Sequence, residues 1–230
     1  MQPHSPQPAM CWTPLALAAD IPPATSAGAV WNGAEIVIWR DSAGKVHAWE
    51  DRCPHRGMKL SFGFVRGDRI ACLYHGWEFG SDAACRYIPA HPELDVPATI
   101  RVNRYEVAEA LGMIWVASQT HASPAPVGDT PVTALRTLHV DAPLAVMTVI
   151  FRAHGLPSAG VVSDVALNDP VMRLKQGALR LVAGLQPVGV GACALHLGVE
   201  GVCNADVLAA LVPATSALRR MAEAQAMEAA

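Results

Sequence analysis

Two short cysteine–histidine pairs constrain this chain more than any other feature: Cys53-Pro-His55 and Cys72-Leu-Tyr-His75. Sixteen residues separate His55 from Cys72, so the pairs sit on two loops that must meet if they share a metal. A glycine closes each loop, in His55-Arg-Gly57 and in His75-Gly76. Glycine allows a tight turn and lets backbone N–H groups point inward at a bound group. Two Cys and two His suit a tetrahedral zinc. They suit equally a [2Fe–2S] cluster with both thiolates on one iron and both imidazoles on the other. Zinc fingers usually keep Cys with Cys and His with His, an order this chain lacks.

Such loops need a small rigid scaffold, and their surroundings read as antiparallel β. Glu35–Trp39 and Lys45–Trp49 form a hairpin around Asp41-Ser-Ala-Gly44. Phe64–Ile70 reads as a second hairpin turning at Arg66–Asp68, and Met113–Ala117 as a buried strand. All six Trp, all three Tyr and three of the four Phe lie in residues 1–115. That asymmetry, with a Ser/Pro/Gly/Thr-rich stretch near Ser118–Pro131, divides the chain. The expected organisation is a domain over 11–118, a linker over 119–134 and a small α+β domain over 135–230. In the last, Leu138–Arg152 and Ala178–Val199 read as strands, the latter folding at Pro187–Gly191. The Ala/Leu/Met/Glu-rich tail from Asn204 reads as a helix, capped by Asn204 or Asp206 and broken or kinked at Pro213.

Composition excludes some classes. A net charge of −3 offers no footprint for nucleic acid. No run of eighteen uncharged apolar residues marks a membrane span, although mean hydropathy is +0.25. Met1–Met10 is polar and Pro-rich, without a basic segment before an apolar one, so a cytoplasmic chain is expected. In that compartment the six cysteines are not a disulfide framework. Cys11, Cys85, Cys193 and Cys203 read as plain thiols, and His47 and His91 as strand and turn residues. Tyr74 and Trp77 are expected to pack over the metal. Arg56 and Lys59 read either as a docking patch for an acidic partner or as plain surface.

Cys53-Pro-His-Arg-Gly57 and Cys72-Leu-Tyr-His-Gly-Trp77 resemble the Rieske motif, in the form found in aromatic-ring and demethylating oxygenases. The resemblance runs on through Ile88-Pro-Ala-His-Pro92 to Gly112-Met-Ile-Trp-Val116, and is similar to the vanillate-demethylase type of α-subunit. It implies one Rieske [2Fe–2S] cluster, with Cys53 and Cys72 on one iron and His55 and His75 on the other. Respiratory Rieske proteins carry an extra Cys in each loop; here Met58 and Leu73 stand nearby.

An α-subunit of that family also carries a helix-grip domain with a mononuclear Fe(II), held by two His and a carboxylate. The family's helical signature resembles Asn-x-x-Asp-x-x-His-x-x-x-x-His, and residues 119–230 do not contain it. Their histidines are His121, His139, His154 and His196, no two within ten residues, and Asp164–Asp169 has carboxylates without His. The second half nonetheless resembles a shortened helix grip, with Thr137–Phe151 and Gly177–His196 as its strands and Asn204–Glu228 as its helix. A mononuclear Fe(II) is therefore not expected here, beyond a scattered set from His139, His154, His196 and Asp164. The reading is an electron-transfer protein or subunit of an oxygenase system, passing electrons from a flavin or ferredoxin-type reductase to a non-heme iron site. The alternatives are a compact hydroxylase or demethylase with its own unconventional iron, and a non-catalytic assembly or redox-sensing subunit. A trimer-based or hetero-oligomer with a catalytic oxygenase subunit is expected; the substrate is not legible.

Overall fold

In the computed structural model, residues 12–118, 124–128, 130–168 and 170–228 are described. Contacts sort them into two units: residues 20–108 with 116–118, and residues 12–19 and 109–115 with the residues from 124 on. The segment 11–118 is thus not one contact unit. Its first strand, β1 (Thr13–Leu17), groups with the C-terminal half.

In the first unit β2 (Thr25–Trp31), β3 (Ala34–Arg40) and β4 (Val46–Glu50) form an antiparallel sheet in that order. Asn32-Gly33, both at positive φ, make the two-residue turn between β2 and β3, the geometry that matches strand twist. Asp41 sets the next turn, its Oδ1 accepting the Ala43 and Lys45 N–H groups at 3.0 and 2.8 Å. The β3–β4 hairpin is the one expected from sequence. The second sheet is a meander of β5 (Phe64–Arg66), β6 (Arg69–Ala71), β7 (Glu78–Gly80) and β8 (Cys85–Tyr87). One core gathers Val37, Trp39, Trp49, Leu60, Ile70 and Phe79 with Cys53 and Cys72.

The hairpin β9 (Glu106–Ala110) and β10 (Met113–Ala117) pairs with β1 in the order β1-β10-β9. β11 (Val132–Val140) follows and begins inside the stretch read as a linker. Next comes α1 (Leu144–His154), where sequence suggested that a strand continued to Arg152. The β-branched Val146, Thr148, Val149 and Ile150 are misleading. Pro143 ends the extended run and its carbonyl accepts the Met147 N–H at 3.1 Å. Met147 and Phe151, four apart, are then both fully buried, which fixes the helix.

β12 (Val162–Asn168), β13 (Val171–Gln176), β14 (Leu179–Gly189) and β15 (Ala192–Glu200) complete an antiparallel sheet in the order β11-β15-β14-β13-β12. β14 and β15 are the expected hairpin, turning at Val190-Gly191. α2 (Ala205–Glu228) closes the chain. Asn204 caps it, its Oδ1 accepting the Val207 N–H at 2.9 Å. Pro213 lies inside α2 without interrupting it. Met147, Phe151, Leu211, Leu218 and Ala222 of the helices share one core with Leu174, Leu181, Leu195 and Leu197 of the sheet. Among the described residues no helix is long and apolar enough to cross a membrane.

Candidate metal centre

The two cysteine–histidine pairs lie on two loops with the same backbone bonding. In the first, the Cys53 N–H donates to Met58 O and the Gly57 N–H to Cys53 O, both at 2.8 Å. In the second, the Cys72 N–H donates to Trp77 O at 2.9 Å and the Gly76 N–H to Cys72 O at 3.0 Å. Gly57 (φ 74°) and Gly76 (φ 68°) take the left-handed turn that each ring requires. At Gly76 a Cβ would also stand 3.0 Å from the Pro89 ring.

This repeat points both thiols inward. Cys53 is 2% and Cys72 3% exposed, and both belong to the aromatic core of the first unit. Burial pushes the Cys53 thiol up to about 12, although the His55 and Arg56 N–H groups point at its sulfur and favour the thiolate. The neighbouring Cys72 sulfur raises it further. A bound metal cation deprotonates a coordinating thiol outright, so it would offset the burial that opposes the Cys53 thiolate.

The histidines face the other way. His55 is half-buried and His75 exposed, with ring centroids 4.7 Å apart and planes at 61°. Trp77 stacks on His55 at 4.4 Å with planes 4° apart. Desolvation, then the charges of His75 and Arg56, hold His55 below its ordinary value, favouring the neutral imidazole that binds metal. The donors thus divide into a buried sulfur pair and an outer imidazole pair, with backbone N–H groups at a sulfur. That division fits a [2Fe–2S] group with two protein ligands on each iron. Among the described residues no three His, Cys, Asp or Glu side chains gather as for one metal ion, which a two-plus-two arrangement does not need.

Of the other candidates, Trp77 stacks on His55, whereas Tyr74 is 57% exposed with its ring 3.9 Å from that of His75. Lys59 is tied to Glu35 Oε1 at 2.5 Å, while Arg56 is exposed. Cys85 is a buried thiol 3.7 Å from Tyr87 O, Cys193 is buried in the second unit, and Cys11 lies outside the described residues. His47 stacks on Trp39 at 4.2 Å and meets Asp41 Oδ2 at 3.2 Å; His91 is exposed in a turn.

The scattered set of the second half is not gathered into one site. His196 is buried, its Nδ1 3.0 Å from Thr137 Oγ1 and its Nε2 2.9 Å from Gln186 Oε1. His139 lies near it but is exposed, His154 ends α1, and Asp164 is exposed on the edge strand β12. His121 and Asp169 lie outside the described residues. Sequence reasoning missed Asp51, a buried carboxylate two residues before Cys53. Its position beside the motif was the available signal.

Comparison with known proteins agrees with this geometry. The family model of the Rieske [2Fe-2S] domain matches residues 11–106. Oxidoreductase NdmD of Pseudomonas putida is 43% identical over 105 residues, 45% of this chain and 18% of that protein. The vanillate O-demethylase oxygenase subunit of a Pseudomonas species is 42% identical over 82 residues, 36% of this chain and 22% of that one. The match thus spans about a fifth of the length of these relatives. The structure of apo dicamba monooxygenase is similar with a TM-score of 0.73 at 20% identity, covering 94% of this chain and 86% of that one. The chain therefore carries a Rieske domain with homology to Rieske oxygenase alpha subunits. The sheet-and-helix region that follows it shares the fold of dicamba monooxygenase.

Proposed function

We propose, from a Rieske domain homologous to those of oxygenase alpha subunits, that this chain passes single electrons from a reductase to a non-heme iron oxygenase site. In this reading Cys53 and Cys72 hold one iron, and His55 and His75 the other. The observation that carries it is the matched pair of loops, with two buried thiols behind two outward imidazoles. When bound, the cluster supplies a one-electron couple. The chain's residues do the rest. The core around Cys53 and Cys72 keeps water from the sulfurs, and the His55 and Arg56 N–H groups support the thiolate of Cys53. His75 and the edge of His55 form the outer face at which a partner exchanges electrons. Trp77 shields one face of His55. Arg56 gives this face a positive charge suited to an acidic flavin or ferredoxin-type donor. An oligomer, trimer-based or with a separate catalytic chain, belongs to the same reading.

One observation favours a second reading, a compact oxygenase with its own mononuclear iron: the fold extends over 86% of a monooxygenase chain. Iron and acid-labile sulfide assays on anaerobically purified protein separate the two. Two irons and two sulfides per chain support electron transfer, and a third iron supports the compact oxygenase. Cys72→Ser should abolish the Rieske EPR signal; a normal signal in that variant overturns the ligand set.

A further inference from the structure

The two loops share their internal bonds but not the way their ends are held. The second loop leaves β6 and enters β7, and those strands pair directly, Ala71 opposite Glu78. Its ends are closed by a sheet ladder. The first loop leaves β4 and enters the 3-10 turn Leu60–Phe62, which pairs with no strand. Something else must join its ends.

Asp51 occupies that place. It is 3% exposed and immediately precedes Arg52-Cys53. Its Oδ1 accepts the Ser61 N–H at 2.7 Å and its Oδ2 the Ser61 hydroxyl at 2.6 Å. Ser61 follows the loop, so one side chain spans it from end to end. The clamp is anchored on both sides: the Asp51 N–H donates to Glu35 O on β3 at 2.9 Å, and the Ser26 hydroxyl on β2 to Ser61 O at 3.1 Å. Gly28 leaves room for it, since a Cβ there would lie 3.3 Å from Ser61 Oγ and 3.6 Å from Asp51 Oδ2. A buried carboxylate with two short bonds, one from a main-chain N–H, is among the stronger polar contacts available.

We propose that Asp51 is the positioning residue for the His55-bearing loop, joining its ends through Ser61 as the β6–β7 pairing joins the ends of the His75-bearing loop. The proposal rests on the reading of Cys53, His55, Cys72 and His75 as cluster ligands. It predicts an asymmetry: losing the clamp loosens one imidazole and leaves the other in place.

The test compares wild type with Asp51→Ala, Asp51→Asn and Ser61→Ala. In the cluster-loaded protein, Asp51→Ala, which removes both bonds to Ser61, should release iron to a chelator at least about tenfold faster, the factor that about 1.4 kcal/mol gives. Asp51→Asn keeps acceptor and shape and should recover to within about threefold. Nitrogen hyperfine couplings in the reduced protein should change for one imidazole only. Amide exchange in the cluster-free chain gives an independent readout. Cys53 and Gly57 should exchange faster in Asp51→Ala, while Cys72 and Gly76, in the same molecule, stay as in wild type. Ser61→Ala, which keeps the main-chain bond, should give the same pattern more weakly and serves if Asp51→Ala does not fold. Equal exchange and release in all variants, or equal loosening of both loops, overturns the clamp. A wild-type protein without a Rieske signal overturns the ligand reading instead, and the amide comparison still decides the clamp.

Discussion

At the scale of single residues, the centre was legible because its information is local. Cys53 and His55, like Cys72 and His75, lie within one loop, and Gly57 and Gly76 announce the left-handed turns that close the rings. Gln176 shows the opposite case. It is the last residue of a strand that also carries Arg173 and Lys175, and nothing near it in sequence sets it apart from them. In the fold its side chain is fully buried. Its Oε1 accepts the Leu156 N–H at 2.8 Å, and its Nε2 donates to the carbonyls of His154, Leu156 and Gly160 at 3.1, 3.0 and 2.8 Å. One amide thus satisfies the turn after α1. Gly155 is held to glycine by the same contact, since a Cβ would lie 2.2 Å from Gln176 Oε1. Removing the amide leaves buried backbone groups without partners. Gln176→Ala is therefore expected to cost about 2–4 kcal/mol, read as a lower urea midpoint. A loss below about 0.5 kcal/mol would show that water replaces the side chain without penalty.

At the scale of elements, sequence found the strands whose pattern is self-contained and missed those defined by distant partners. The β3–β4, β5–β6 and β14–β15 hairpins carry their own turns. Asn32-Gly33 carried an equally plain hairpin signal for β2 that went unread. β12 and β13 have no strong alternation and are fixed by pairing along the sheet, β13 with β14 and β12 with β13. α1 was misread because β-branched residues outweighed the four-residue spacing of Met147 and Phe151. Propensity is a weak prior where burial decides. Pro213 makes the same point within α2. Proline removes a helical N–H and crowds the carbonyl four residues earlier, here that of Ala209, so the sequence predicts a break or a kink. The helix runs on because Leu211, Ala214, Leu218 and Ala222 are buried on one side of it. Packing then offsets a local penalty that remains in place. Pro213→Ala should raise stability by about 1–3 kcal/mol, visible as a higher thermal midpoint. A lower midpoint would mean that the proline ring itself contributes packing.

At the scale of the whole molecule, each unit carries a buried histidine that makes folding sensitive to acid. In the C-terminal unit His196 is 1% exposed, and burial, aided by the nearby charge of His139, pushes it down to about 4. In the unfolded chain the same ring titrates near 6.5. Between these values the unfolded chain binds a proton that the folded unit refuses, so acidification favours unfolding. This contribution is fully present above about pH 6.5, falls as the pH drops toward 4, and is gone below that. A displacement of that size corresponds to about 3 kcal/mol. His47 acts with the same sign in the Rieske-bearing unit, where burial lowers it despite the opposing pull of Asp41. The two histidines can be separated by probe and by substitution. Urea titrations at pH 7 and pH 5, followed by methyl signals of the buried Leu195 and Leu197, report on the C-terminal unit. His196→Gln should unfold more easily at pH 7, since Thr137 and Gln186 lose a fitted partner, yet lose less between pH 7 and pH 5 than wild type. An acid slope unchanged by the substitution would place the sensitivity elsewhere, because no other histidine described in that unit is buried.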